Sequence, residues 1–185
     1  MNLIYSIYNL IRARRKNWLS QKERCLQSFD NYTSAGIVFT DGKLILAGYQ
    51  PYKMYISGIG GSKKPHETYT QTALREMLEE LFEIDTIPGP LISDIVNTVK
   101  PQKVLQNKQY VMLVYTFTDL DRIFELLSKY ELSSRAYDTI PTTLIELLFS
   151  RKFREKNEIS HLCLLPLVRS SIDKDLLEDM KLLGA

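Results

Sequence analysis

The chain has little of what usually marks a membrane, secreted or zinc-bound protein. In 185 residues there are two cysteines, Cys25 and Cys163, and neither sits in a CxxC pair or beside histidines. That excludes a zinc finger and a disulfide framework, and it points to reduced, structural thiols in a cytoplasmic setting. Histidine is equally scarce. His66 and His161 are the only two, and each reads as a surface or packing residue. No apolar run reaches the ~18 residues needed to cross a bilayer. The opening MNLIYSIYNLI is broken by Tyr and Asn and has no small-residue cleavage site, so it does not read as a signal peptide. Repeats and low-complexity tracts are missing too, and charge is nearly balanced at +2. Hydrophobic content of 44% is ordinary for one globular domain.

The small net charge is unevenly placed. Arg12, Arg14, Arg15, Lys16, Lys22 and Arg24 stand against Glu23, so residues 1–24 carry +5 and the remainder −3. Residues 1–30 therefore read as a basic helical segment and residues 31–185 as the main domain. Two uses fit the basic segment. Arg12, Arg14, Arg15 and Lys16 could contact an RNA backbone or an anionic surface, or the helix could lie across the domain with Leu3, Ile7, Leu10 and Ile11 inward.

Along the rest of the chain, Gly36–Phe39 and Leu44–Ala47 flank Thr40-Asp41-Gly42-Lys43, the signature of a β-hairpin closed by a type I′ turn. Met54–Ser57 leads into Gly58-Ile59-Gly60-Gly61, where the glycines allow backbone to approach a ligand closely. Leu91–Val99 and Tyr110–Phe117 read as strands, the second buried in part on both faces, with a polar loop, Lys100–Gln109, between them. A helical stretch follows over about 119–157, broken near Ser133-Ser134 and at Pro141. Glu158–Leu167 reads as a strand and Asp173–Leu183 as a closing helix.

The most informative stretch is Gly61–Glu83, GSKKPHETYTQTALREMLEELFE. On a helix, Glu76, Glu79 and Glu80 fall at i, i+3, i+4 and put three carboxylates on one face. Like charges so placed repel, and clustered hard oxygen donors suit Mg²⁺ or Mn²⁺. Leu74, Met77, Leu78 and Leu81 form an apolar stripe for packing, so a merely solvated acidic face is the plain alternative.

Gly61, Glu67, Arg75, Glu76, the aliphatic Met77, Glu79 and Glu80 match the Nudix box, G-x5-E-x7-R-E-U-x-E-E-x-G-U with U aliphatic, and the chain resembles a Nudix hydrolase over roughly residues 33–183. Two positions depart: Phe82 stands where the family has Gly, and Glu83 where it has an aliphatic residue. The expected consequence is a helix that runs on, with Ile84 in the aliphatic slot and Pro88-Gly89-Pro90 ending the segment. The resemblance implies an α/β/α sandwich with a mixed sheet, an N-terminal helix and a helical insertion. It implies hydrolysis of a nucleoside diphosphate-linked substrate by water, with two or more Mg²⁺ or Mn²⁺ ions on Glu76, Glu79, Glu80 and the Gly61 carbonyl. Arg75 would orient the box glutamates, and Glu67 would brace the loop. Glu76 or Glu80 is the first choice of general base and Glu158 the second. Gly60, Lys63 and Lys64 are the substrate-binding candidates. In outline the chain also resembles the decapping enzymes of large DNA viruses, on the basic N-terminal segment, the loop lysines, the helical insertion and the Asn157-Glu158-Ile159 run into a strand. That makes the mRNA 5′ cap the favoured substrate. A free nucleotide, or a non-catalytic binding module, is the alternative. Oligomeric state is open.

Overall fold

A computed structural model describes residues 31–153, 157–167 and 178. The basic N-terminal segment with Arg12, Arg14, Arg15 and Lys16, and the closing helix expected at Asp173–Leu183 apart from Glu178, lie outside the described residues.

The architecture is mixed α/β, as the order of apolar patterns implies. Among the described residues seven strands form two sheets: β1 (Ser34–Phe39), β2 (Leu44–Gln50), β3 (Tyr55–Ser57), β4 (Ile59–Ser62), β5 (Lys103–Asn107), β6 (Tyr110–Tyr115) and β7 (His161–Pro166). The four-stranded sheet runs β4-β1-β6-β5 and the three-stranded sheet β3-β2-β7. In the first, β1 pairs parallel with β6 and antiparallel with β4, so the sheet is mixed. Strand β6, YVMLVY, lies between β1 and β5 and is buried over Val111–Tyr115, which fits an almost unbroken apolar run.

Four helices are described: α1 (Tyr69–Leu81), α2 (Gly89–Thr98), α3 (Phe117–Leu127) and α4 (Leu144–Phe149). Thr68 caps α1 and Gln71 answers it, a reciprocal capping box; Thr116 and Asp119 do the same for α3. The expected stripe of Leu74, Met77, Leu78 and Leu81 is fully buried, and α1 packs on β1 and β4. The glutamate helix is thereby anchored to the sheet that carries Gly60 and Gly61.

Four expectations from the sequence are corrected. The strands flanking Asp41-Gly42 do not form a hairpin ladder. Strand β1 joins one sheet and β2 the other, touching through the isolated bridge Thr40–Ile45. The turn is not type I′ either. Gly42 has φ +85, but Asp41 keeps a negative φ, and its side chain accepts the Lys43 and Leu44 N–H groups at 2.8 and 2.7 Å, an Asx arrangement. Leu91–Val99 is mostly helix α2, with Leu91, Ile95 and Val99 buried at four-residue spacing. Pro90 sits in its first turn, where a missing N–H costs nothing, so Pro88-Gly89-Pro90 opens this helix rather than closing the previous segment. The polar loop Lys100–Gln109 contains edge strand β5, whose Lys103 suits a sheet edge.

The fourth correction concerns the end of α1. The helix stops at Leu81 instead of running on. Phe82 remains right-handed at φ −109, and the left-handed residue is Glu83, at φ +47. Phe82 is fully buried and meets Phe124 of α3 edge-to-face at 6.0 Å, so a core aromatic replaces the terminating glycine and the reversal shifts by one residue. Ile84 is buried, as expected of the aliphatic slot.

Candidate active site

Arg75 organises the site. Its side chain is only 8% exposed and three carboxylates surround it. Nε donates to Glu67 Oε1 at 2.6 Å and Nη2 to Glu67 Oε2 at 3.1 Å, a two-pronged contact. Nη1 donates to Glu76 Oε1 at 2.7 Å and Glu79 Oε2 at 2.8 Å, and Nη2 also reaches the Ser62 carbonyl at 2.8 Å. These contacts hold the guanidinium charged even though burial opposes it. Burial also works against ionising Glu67, but Arg75, the Lys64 N–H and Thr72 outweigh it and lower its pKa to about 2. Glu67 thus braces the Gly61–Thr68 loop against α1 from both ends.

Gly61 lies against the carboxylate of Glu76. A Cβ there would come within 2.5 Å of Glu76 Cδ and Oε2, so only glycine lets the loop and the carboxylate share this space. Its neighbour Gly60 donates its N–H to Glu80 Oε2 at 2.7 Å. Glu80 is 7% exposed, and Glu76 is half-buried. Of the three box glutamates expected on one helix face, Glu79 is the most exposed. Burial raises the pKa of Glu80 well above the carboxylate range, the Gly60 N–H opposes it, and the charges of Glu158, Glu76 and Glu79 add to it. Glu76 is raised by burial against the opposing pull of Arg75, with Glu79 and Glu158 adding.

Glu158 reaches the same place from the loop before β7. With Glu76, Glu79, Glu80, Glu83, Asp85, Arg135 and Arg151 it lines a cavity of about 400 Å³. Six carboxylates against two arginines leave that cavity strongly anionic, and all its acidic donors are hard oxygens. The donor chemistry therefore fits a divalent cation of the Mg²⁺ or Mn²⁺ type. Among the described residues no three His, Cys, Asp or Glu side chains are already drawn together around one ion position. Arg75 holds Glu76 and Glu79, and the Gly60 N–H holds Glu80.

A second cavity, of about 480 Å³, is lined by Gln50, Lys53, Tyr55, Gly60, Lys108, Tyr110 and Glu158 among others. Glu158 is common to both cavities. The expected substrate lysines are elsewhere: Lys63 Nζ lies 4.3 Å from the Tyr32 ring centroid, and Lys64 Nζ pairs with Glu79 at 3.1 Å. Neither lines either cavity, whereas Gly60 lines the larger one. Sequence reasoning missed Lys53 and Lys108, which carried no motif, and Arg151. His66 is an exposed loop residue at φ +66, and the His161 ring on β7 lies 5.6 Å from that of Phe153.

No protein-family model matches the chain, and no curated protein matches it. Solved structures do. A MutT Nudix hydrolase from Burkholderia pseudomallei is 14% identical, with a TM-score of 0.41, over 80% of this chain and 95% of that one. A Nudix-family hydrolase from Clostridium perfringens is 11% identical, with a TM-score of 0.40, over 84% of this chain and 97% of that one. A bifunctional NMN adenylyltransferase/ADP ribose pyrophosphatase from Francisella tularensis, solved with AMP and a Mn ion, is 18% identical with a TM-score of 0.32; 60% of this chain aligns, spanning 33% of that protein's length. Among the described residues, no helix is long and apolar enough to cross a membrane.

Proposed function

We propose that the chain is a Mg²⁺- or Mn²⁺-dependent hydrolase that splits the pyrophosphate link of a nucleoside diphosphate-linked substrate, the chemistry of the Nudix family whose box it resembles. One observation carries the reading. Within the single stretch Gly61–Glu80, Glu67, Glu76 and Glu79 meet around the buried Arg75 guanidinium and Gly61 packs against Glu76, while Glu76, Glu79 and Glu80 line an anionic cavity that Glu158 shares.

Glu76, Glu79 and Glu80, with the Gly61 carbonyl, are the residues that would hold the ions. When bound, such ions neutralise pyrophosphate charge and lower the pKa of a coordinated water. The rest falls to the chain itself. Arg75 fixes the rotamers of Glu76 and Glu79 while its other edge grips Glu67 and Ser62. The Gly60 N–H orients Glu80. Of the three candidates for accepting the proton of the attacking water, Glu158 is favoured by its place. It is exposed and lines both cavities, whereas Glu76 and Glu80 are already engaged by Arg75 and Gly60. The larger cavity has the volume for a nucleoside, with Tyr55 and Tyr110 as apolar walls and Lys53 and Lys108 as cations for phosphate oxygens.

For the leaving moiety, the capped 5′ end of RNA and a free nucleotide both stand. The basic residues that favour RNA are Arg12, Arg14, Arg15 and Lys16, outside the described residues. A panel of capped RNA, free cap dinucleotide, nucleoside triphosphates and ADP-ribose, incubated with Mg²⁺, tests the reading. Hydrolysis between phosphates in at least one member supports it, and an inert panel with folded protein rejects it.

A further inference from the structure

The end of the glutamate helix and the loop that presents Glu158 are far apart in sequence, yet one buried cation joins them. Arg151 is 2% exposed at its side chain. Its Nη1 donates to the Leu81 carbonyl at 2.7 Å, and its Nη2 donates to the carbonyls of Glu80 at 3.1 Å and Ile159 at 2.9 Å. The first two are carbonyls at the C-terminus of α1, where a cation also meets the negative end of the helix dipole. The third belongs to the residue immediately after Glu158. Nη2 also pairs with Glu83 Oε1, the residue the left-handed turn places just beyond the helix. Asn157, immediately before Glu158, donates Nδ2 to the same Glu83 oxygen at 2.7 Å. Both sequence neighbours of Glu158 are therefore tied to the Arg151–Glu83 pair, and through it to the backbone of Glu80.

This accounts for an oddity of the box. Glu83 occupies a position that the motif fills with an aliphatic residue, and its carboxylate is 7% exposed at the side chain. A charge so buried is costly unless paired and hydrogen-bonded. Arg151 and Asn157 both bond Glu83 Oε1 and meet part of that need, and the same two side chains are the ones that reach the residues flanking Glu158.

Resting on the hydrolase reading above, we infer that Arg151, with Glu83 and Asn157, is a positioning device that sets where Glu158 stands relative to Glu76 and Glu80. Arg151 touches no reacting atom in this arrangement and acts through the loop it holds. A merely structural arginine would lower activity only as it lowers the folded fraction. A positioning one lowers kcat in folded protein and loses its effect once Glu158 is gone.

The test uses the full chain with Arg151→Lys, which keeps the charge but loses the fork, and the milder Asn157→Ala, each alone and combined with Glu158→Gln. Amide hydrogen exchange across residues 157–160 and steady-state kinetics on the hydrolysed panel member are both read. The expected result is faster exchange in residues 157–160 with β7 unchanged. Turnover should fall about tenfold or more in kcat with KM within about twofold, and in the Glu158→Gln background the further loss should be under about twofold. Unchanged exchange in folded variants overturns the clamp whatever the chain hydrolyses. Losses that multiply in the Glu158→Gln background, or wild-type kcat despite a loosened loop, overturn the positioning role. A loosened loop in a chain whose wild type leaves the whole panel intact overturns the hydrolase reading and the positioning role with it, while the physical clamp stands.

Discussion

Gly61→Ala is the smallest change that separates chemistry from folding at this site. The added Cβ would stand 2.5 Å from Cδ and Oε2 of Glu76 and 2.6 Å from Oε1, and ordinary contact begins at 3.4 Å. One side must move by about 1 Å. The loop backbone is held by β4 pairing with β1, Ala35 opposite Gly61, so the movable part is the Glu76 carboxylate at the end of its flexible side chain. Moving it takes Glu76 off its preferred rotamer, at about 1 kcal/mol, and strains its 2.7 Å bond to Arg75. In a domain of this size that lowers Tm by only about 2–4 °C. A donor misplaced by about 1 Å can, by contrast, cost about a hundredfold in rate. The assay is a thermal melt beside kcat on the panel substrate, with Mn²⁺ affinity measured by titration. A folded Gly61→Ala protein with near wild-type kcat and Mn²⁺ affinity would show that the carboxylate has no exacting place to keep.

Other outcomes follow from the same site. Glu67→Gln exchanges two charge-assisted bonds to Arg75 for weaker ones, at about 2 kcal/mol near neutral pH by urea unfolding. Because the folded pKa of Glu67 is depressed to about 2 from 4.5, its contribution is complete above about 4.5 and disappears as pH falls towards 2, so wild type and variant should converge in stability there. Excess EDTA should abolish turnover and added Mg²⁺ restore it, since the carboxylates without a cation do not neutralise a pyrophosphate. Replacing Arg12, Arg14, Arg15 and Lys16 with neutral residues should leave free-nucleotide turnover unchanged. If capped RNA is the substrate, the salt slope of RNA binding should also become shallower, by nearly one for each phosphate that the variant no longer neutralises.

The body of helix α1, though not its exit, is legible in the sequence because the apolar stripe and the acidic spacing agree and both fall within Tyr69–Leu81. Helix α2 reads as a strand because Ile92, Ile95, Val96 and Val99 are β-branched, strand-prone residues in a short apolar run, and the four-residue spacing of the buried Leu91, Ile95 and Val99 is the quieter signal. The Asp41-Gly42 turn is a local event. Which sheet each flanking strand joins is decided by β6 and β7, distant in sequence, so no local pattern could report the split. The spacing of Gly61, Glu67 and Arg75 marks the site, but the need for glycine becomes physical only with the Glu76 carboxylate against it. Arg151 is hidden because it heads the charged run Arg151–Lys156, where nothing distinguishes a buried arginine from a solvated one.

On this reading the box carboxylates carry hydrolysis rather than merely solvate a helix. Glu79→Gln and Glu80→Gln, measured beside wild type with Mg²⁺ on the same nucleotide panel, test it most directly. Glu80→Gln relieves the burial of a carboxylate and can keep the bond from the Gly60 N–H, so its metal-free stability should hold or rise slightly, whereas Glu79→Gln weakens the bonds from Arg75 and Lys64 and should cost some stability while leaving the protein folded. The expected result is folded protein whose turnover is lower by orders of magnitude. Near wild-type turnover in both folded variants would mean that these carboxylates only solvate the helix.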